Sequence, residues 1–136
     1  MNARISLGTM AALAVAGVIA LAGCGDSDKP AYCSDRSDLQ DSVNGLPDAA
    51  KSGNLDTLRS QIETIRSDAK TLADSAKSDF PTETDAIASS VKTLEDSVDA
   101  LPPNPTASDL APVALGAATV VTSVKEFADA TNSECD

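Results

Sequence analysis

The sequence predicts an all-α fold: a small antiparallel helical bundle of three long helices and a short N-terminal helix, closed by a disulfide between its ends. Apolar residues recur every three or four positions along the chain, as is typical of helices that bury one face. No segment shows the alternation of period two that a half-buried strand requires. Two cysteines, Cys33 and Cys135, flank the helical region.

The first helical segment has the weakest pattern. Ser34 is an N-cap candidate, and apolar residues follow at helical spacing: Leu39, Val43 and Leu46. Asn44-Gly45 and Pro47 then predict an interruption. We therefore expect a short helix and a loose turn around residues 48–53.

The second segment has the strongest pattern, a stripe with spacings of three and four residues. The stripe consists of Leu55, Leu58, Ile62, Ile65, Ala69, Leu72 and Ala76. Asn54 is the expected N-cap. Pairs of opposite charge four residues apart, such as Lys70 and Asp74, support the helix on its outer face.

Phe80-Pro81 separates the second segment from the third, for which Thr82 and Asp85 form a near capping box. The third stripe is Ile87, Val91, Leu94, Val98 and Leu101. A proline-rich connection then leads to the fourth segment, capped by Thr106 or Ser108, with Pro112 in its first turn or two.

The fourth stripe consists of Leu110, Val113, Ala117, Val120 or Val121, Val124, Phe127 and Ala128. No acid or base occurs between Asp109 and Lys125, so we expect this helix to be the most buried.

Four up-and-down helices would bring Cys33 and Cys135 to the same end of the bundle. Three helices would separate the two cysteines unless residues 33–53 ran back along the bundle. A disulfide over this loop would stabilise the fold by up to about 4 to 5 kcal/mol. A redox-active thiol pair is the alternative, but no C-x-x-C motif is present.

The N-terminus has the layout of a secretory signal peptide. Arg4 and the α-amine supply positive charge, and residues 5–20 are almost entirely small or aliphatic. A single-pass membrane anchor is the alternative, but the run is somewhat short for the about 20 residues that cross a bilayer. Leu21-Ala22-Gly23-Cys24 follows and resembles the lipobox of bacterial lipoproteins.

This resemblance implies that a diacylglyceryl group is added to the Cys24 thiol, that a peptidase cuts before Cys24, and that an N-acyl chain can follow. We expect a lipoprotein signal peptide (1–23), a flexible tether (24–32) and a helical bundle domain (33–136). The protein should be exported and held by its lipid on the outer side of the cytoplasmic membrane or on the cell surface. The layout is similar to small secreted helical lipoproteins of actinobacteria, a resemblance that implies no active site.

The composition argues against several classes of function. Without the signal peptide the chain has nine basic and 21 acidic residues, a formal charge of −12 that repels nucleic acids. The chain has no histidine, which removes Ser-His-Asp and Cys-His catalysis and the commonest zinc ligand. One tyrosine, two phenylalanines and no tryptophan are few for a site that stacks sugars or bases.

We predict no catalytic residues, no metal site and no cofactor beyond the covalent lipid. Ser67 and Lys70 match the S-x-x-K spacing of penicillin-binding enzymes, but the S-D-N and K-T-G partner motifs are missing. Acids cluster near the start of the mature chain without the loop pattern of a calcium site: Asp26, Asp28, Asp35, Asp38 and Asp41. Glu95, Asp96 and Asp99 oppose the helix dipole, where a basic partner could contact them.

Three classes of function remain. We favour a lipid-anchored cell-envelope protein, not an enzyme, that presents an acidic helical bundle to an envelope protein partner or has a structural role. The alternative is a lipoprotein that binds a small ligand or a cation, which an apolar pocket lined by Ala117, Val121 and facing leucines would favour. An enzyme would require a perturbed pair of acids in a cleft.

Overall fold

The structure, a computed structural model, describes residues 29–136. The predicted signal peptide, Cys24 and most of the predicted tether lie outside the described residues. Within residues 29–136, no helix combines the length and the apolar character needed to cross a membrane.

Four antiparallel helices form a bundle, and one further helical turn ends the chain. The elements are α1 (Ala31–Lys51), α2 (Leu55–Ala76), α3 (Pro81–Asp99), α4 (Ala111–Ala130) and α5 (Asn132–Cys135). Each long helix packs on the next one, and α4 returns to lie beside α1. The described residues contain no strand. The predicted all-α bundle is therefore confirmed, in its four-helix form.

The predicted stripes of α2 and α3 form the centre of the core. The buried apolar residues are Leu58, Ile62, Ile65, Ala69, Leu72 and Ala76 on α2, and Ile87, Val91, Leu94 and Val98 on α3. Asn54 caps α2 as expected, because its side-chain oxygen accepts hydrogen bonds from the amides of Asp56 (2.9 Å) and Thr57 (3.2 Å).

The predicted caps of α3 and α4 are wrong. α3 begins at Pro81, because a proline at the first helical position has its φ already set and needs no amide partner. Neither Thr106 nor Ser108 caps α4, which begins at Ala111. Thr106 instead begins a preceding turn, in which its amide and its hydroxyl each donate to Asp109 Oδ2 at 2.7 Å. These two bonds lower the pKa of Asp109.

The first helix is longer than predicted and runs without a break over Ala31–Lys51. Pro47 lies inside it and cannot donate a hydrogen bond to the preceding turn, a change that typically costs about 3 kcal/mol. Leu46 and Ala49 on either side of the proline are buried in the core. Tertiary packing therefore keeps the helix continuous across a residue that would break an isolated helix.

The first helix also begins inside the segment predicted as tether, because Tyr32 is buried. Its ring packs edge-on against Phe80, with ring centroids 5.5 Å apart, and against Phe127 at 6.3 Å. Phe80 and Phe127 also contact each other edge-on, so the three aromatic residues of the chain form one cluster. Burial and the nearby carboxylates of Glu134 and Asp79 raise the pKa of Tyr32.

The start of α1 and the end of the chain are joined beside this aromatic cluster. The sulfur atoms of Cys33 and Cys135 lie 2.07 Å apart, and their Cα atoms are 5.3 Å apart. Arg36 adds a second link between α1 and the end of α4, since it donates to the Ala128 carbonyl (3.4 Å) and to Thr131 Oγ1 (3.3 Å). A cation at the C-terminal end of a helix also complements the helix dipole.

Removal of the disulfide should strongly destabilise the bundle. The chain-entropy model gives a loss of about 4 to 5 kcal/mol in the free energy of unfolding for Cys33→Ser combined with Cys135→Ser. Urea denaturation of the oxidised protein measures this loss. Cys24→Ser is the matched control, because it removes a cysteine outside the closed loop. Equal stability of the double variant and the control would show that α1 and α4 stay together without the bond.

Candidate functional site

The residues that the sequence singles out for chemistry occupy ordinary structural positions. Cys33 and Cys135 meet as the link between chain ends, whereas Cys24 lies outside the described residues. Ser67 and Lys70 are both exposed on α2. The Lys70 ammonium donates to Asp74 Oδ2 at 2.8 Å, and this bond lowers the pKa of Asp74. The S-x-x-K spacing therefore belongs to a solvated helix face.

Asp35 and Glu95, described members of the two acidic clusters, have separate partners. Asp35 Oδ2 accepts a hydrogen bond of 2.5 Å from Ser75 Oγ. Glu95 pairs with Arg66 of α2 at 3.5 Å, so this acid near the end of α3 links two helices. Among residues 29–136, no three histidine, cysteine or acidic side chains are grouped as a metal site would need.

The clearest concave site is an apolar groove of about 360 Å³ between α1 and α4. Its α1 wall consists of Val43, Leu46, Pro47 and Ala50. Its α4 wall consists of Leu110, Val113, Ala114, Ala117, Ala118 and Val121. None of these side chains ionises or forms hydrogen bonds. The groove lies toward the end of the bundle opposite the disulfide, where α1 ends and α4 begins.

Two glycines explain why the gap falls between α1 and α4. A Cβ on Gly116 would lie 3.2 Å from Leu94 Cα, so the glycine lets α4 approach α3 closely. A Cβ on Gly45 would lie 3.0 Å from Gln61 Nε2, the group that donates to the Ser42 carbonyl at 2.6 Å. α1 is thus held against α2, and α4 against α3. The small side chains between α1 and α4 do not fill the space that remains.

The fourth helix is not the most buried one, contrary to the prediction. Leu115 is 71% exposed and Val121 is 50% exposed. The uncharged run between Asp109 and Lys125 therefore includes a solvent-facing surface next to the groove. Of the two valines left open by the sequence, Val120 is fully buried in the core, whereas Val121 lines the groove.

A polar cleft continues the groove toward the disulfide end. It shares Val43 and Val121 with the groove and is also lined by Val124. Its polar side chains are Gln40, Asp41, Asn44 and Lys125. Lys125 Nζ already donates to Asp129 Oδ2 at 2.9 Å. Asp41 takes part in none of the salt bridges among residues 29–136.

The groove could not be located from the sequence, although part of its wall was named there. Ala117 and Val121, which the sequence analysis associates with a pocket, both line it, and Leu46 lies on the opposite wall. Periodicity assigns such residues to the inner face of a helix, and it does not report whether the opposite helix fills the space. The sequence does not indicate that Gly116 allows a close approach of two helices, because this role depends on a residue of another helix.

Comparison of the chain with protein-family models, with curated proteins and with solved structures found no match.

Replacement of the two glycines by alanine should have different effects. Alanine improves helix propensity by about 1 kcal/mol at either position. At Gly116 the new Cβ meets backbone, whereas at Gly45 it meets only the end of a flexible side chain. We expect Gly116→Ala to be less stable than Gly45→Ala by about 1 to 2 kcal/mol in urea denaturation. A Gly116→Ala variant as stable as Gly45→Ala would show that this glycine does not set the spacing between α3 and α4.

Proposed function

We propose that the protein is a lipid-anchored binding protein of the cell envelope that holds an apolar ligand in the groove between α1 and α4. The observation that carries the proposal is the groove itself, with a volume of about 360 Å³ and walls made entirely of apolar residues. Ligand sites in proteins have volumes of about 300 to 1,000 Å³ and are lined mainly by apolar side chains. A ligand would remove these walls from water without rearrangement of the bundle.

The proposal excludes a catalytic role for the groove, because none of its lining side chains ionises. The proposal also places the ligand on an uncharged surface and not on the acidic faces of the bundle. Asp41 and the paired Lys125 lie in the adjoining cleft and not in the groove itself.

The lipid anchor rests on the predicted lipobox and agrees with the position of Lys29. The Lys29 ammonium donates to the Cys135 carbonyl at 2.7 Å, so the chain enters the bundle at the disulfide end. The five residues from Cys24 to Asp28 span at most about 18 Å. The disulfide end therefore faces the membrane in the proposed anchored state, and the groove lies toward the other end.

A second candidate function is docking of an envelope protein, as the sequence analysis favours. The specific observation in its support is the exposed, uncharged face of α4, which includes Leu115 and Val121. An apolar surface of this kind is unusual on a domain whose other helices carry many acids, and exposed apolar patches often mark interaction sites.

Filling the groove should abolish binding of an apolar probe. The uncharged fluorophore N-phenyl-1-naphthylamine should bind the oxidised mature chain that carries Cys24→Ser and therefore has no lipid of its own. Ala117→Phe places a large ring in the groove and should reduce probe affinity at least about tenfold, the effect of losing about 1.4 kcal/mol of apolar contact. Fluorescence titration measures the affinity.

Ala88→Phe makes the same exchange on the exposed face of α3, outside the groove, and should leave probe affinity unchanged. Circular dichroism shows whether each variant is folded. A folded protein that does not bind the probe, or a folded Ala117→Phe variant that binds it as tightly as the control, would contradict ligand binding. Either result would leave protein docking on α4 as the better proposal.

Replacement of Cys24 tests the lipid anchor. In bacteria that export the protein, Cys24→Ala should leave an uncleaved precursor without fatty acid, because the thiol that receives the diacylglyceryl group is gone. Metabolic labelling with palmitate and membrane fractionation measure acylation and location. Cys33→Ala is the matched control and should remain acylated. Normal cleavage and labelling of the Cys24→Ala variant would refute the anchor.

A further inference from the structure

We infer that the ligand of the groove is an uncharged single-chain amphiphile, such as a monoacylglycerol, with its chain in the groove and its polar head in the adjoining cleft. This inference rests on the proposed function and names the class of ligand. It follows from the order of the two compartments along one seam and from the charges of the second compartment.

The two compartments form one continuous site. The apolar groove and the polar cleft lie in the seam between α1 and α4, and Val43 and Val121 belong to the walls of both. A molecule that extends past these two valines leaves a fully apolar environment and meets the side-chain amides of Gln40 and Asn44. A ligand that matches this change along its length has an apolar chain and a polar head.

The charges of the cleft select the head group. Gln40 and Asn44 each offer a donor and an acceptor of hydrogen bonds, which suit hydroxyl and ester groups. The Lys125 ammonium is compensated by Asp129 at 2.9 Å, whereas Asp41 has no basic partner among residues 29–136. Asp41 disfavours a carboxylate or phosphate head, and the Lys125 ammonium, which lines the same cleft, disfavours a cationic head.

The groove is elongated, which suits an alkyl chain. Its walls are two antiparallel helices that face each other over two to three turns, from Val43 to Ala50 and from Leu110 to Val121. Each methylene that enters such a site contributes about 0.8 kcal/mol, which corresponds to about a fourfold gain in affinity. The gain should stop when the apolar compartment is full.

Displacement of N-phenyl-1-naphthylamine by amphiphiles tests the inference on the mature chain with Cys24→Ser. The competitors are monoacylglycerols, fatty acids and alkyltrimethylammonium ions, from octyl to tetradecyl, each below its critical micelle concentration. We expect monoacylglycerols to bind about fourfold more tightly for each added methylene, up to a plateau. Fatty acids of the same length should bind about five- to tenfold more weakly, because Asp41 repels the carboxylate.

Asp41→Asn should remove most of the difference between the fatty acid and the monoacylglycerol, and it should leave monoacylglycerol affinity unchanged. Asp85→Asn makes the same change of charge on an exposed residue of α3 and should leave the difference intact. Circular dichroism confirms the fold of both variants.

Fatty acids that bind as tightly as monoacylglycerols, or a difference that Asp41→Asn does not alter, would overturn the inference while probe binding leaves the proposed function standing. Preference for the alkyltrimethylammonium ions would also overturn it, in favour of a cationic ligand. A folded protein that does not bind the probe would contradict both the proposed function and the inference.

Discussion

The closed bundle depends on the junction between α1 and α4, because these helices come from opposite ends of the domain and no short loop holds them together. The Cys33–Cys135 bond, the aromatic cluster and Arg36 all act at one end of this junction. The disulfide reduces the conformational entropy of the unfolded chain, and the aromatic cluster packs large apolar side chains together. At the opposite end the two helices face each other only through the walls of the groove. The same pair of helices is therefore tight at one end and open at the other.

The openness follows from contacts on the far sides of the two helices. Gly116 lets α4 lie against Leu94, and the partner of Gly45 is a side chain of α2. A movement of α4 toward α1 would close the groove, but it would also separate α4 from the buried stripe of α3. α4 therefore keeps its larger apolar contact, with α3, and its smaller contact with α1 stays incomplete. An apolar ligand would supply the missing contact without any change in the helices, in agreement with the proposed binding function.

The charged and uncharged parts of the surface are separated in a way that agrees with the proposed binding function. The surface carries an excess of acidic side chains, and five of the nine basic residues among residues 29–136 are paired with acids four or fewer positions away. The uncharged part of the surface is concentrated on α4 beside the groove, where Leu115 is exposed. In the proposed anchored state this surface and the groove lie away from the membrane-facing end. A ligand or a protein partner would then approach from the side away from the membrane.

The sequence by itself determined the all-α class, the positions of α2 and α3 and the Asn54 cap, and it predicted that Cys33 and Cys135 lie close together. These features follow from periodicity and local chemistry, because an amphipathic helix can bury its stripe only against other stripes. The tertiary structure alone decided that α1 continues through Pro47, that Tyr32 belongs to the core and that α4 exposes part of its uncharged run. It also decided that a groove remains between α1 and α4. Each of these features depends on contacts between distant parts of the chain. A periodic pattern specifies the inner face of a helix, but it does not specify which residue of another helix fills the space beside it.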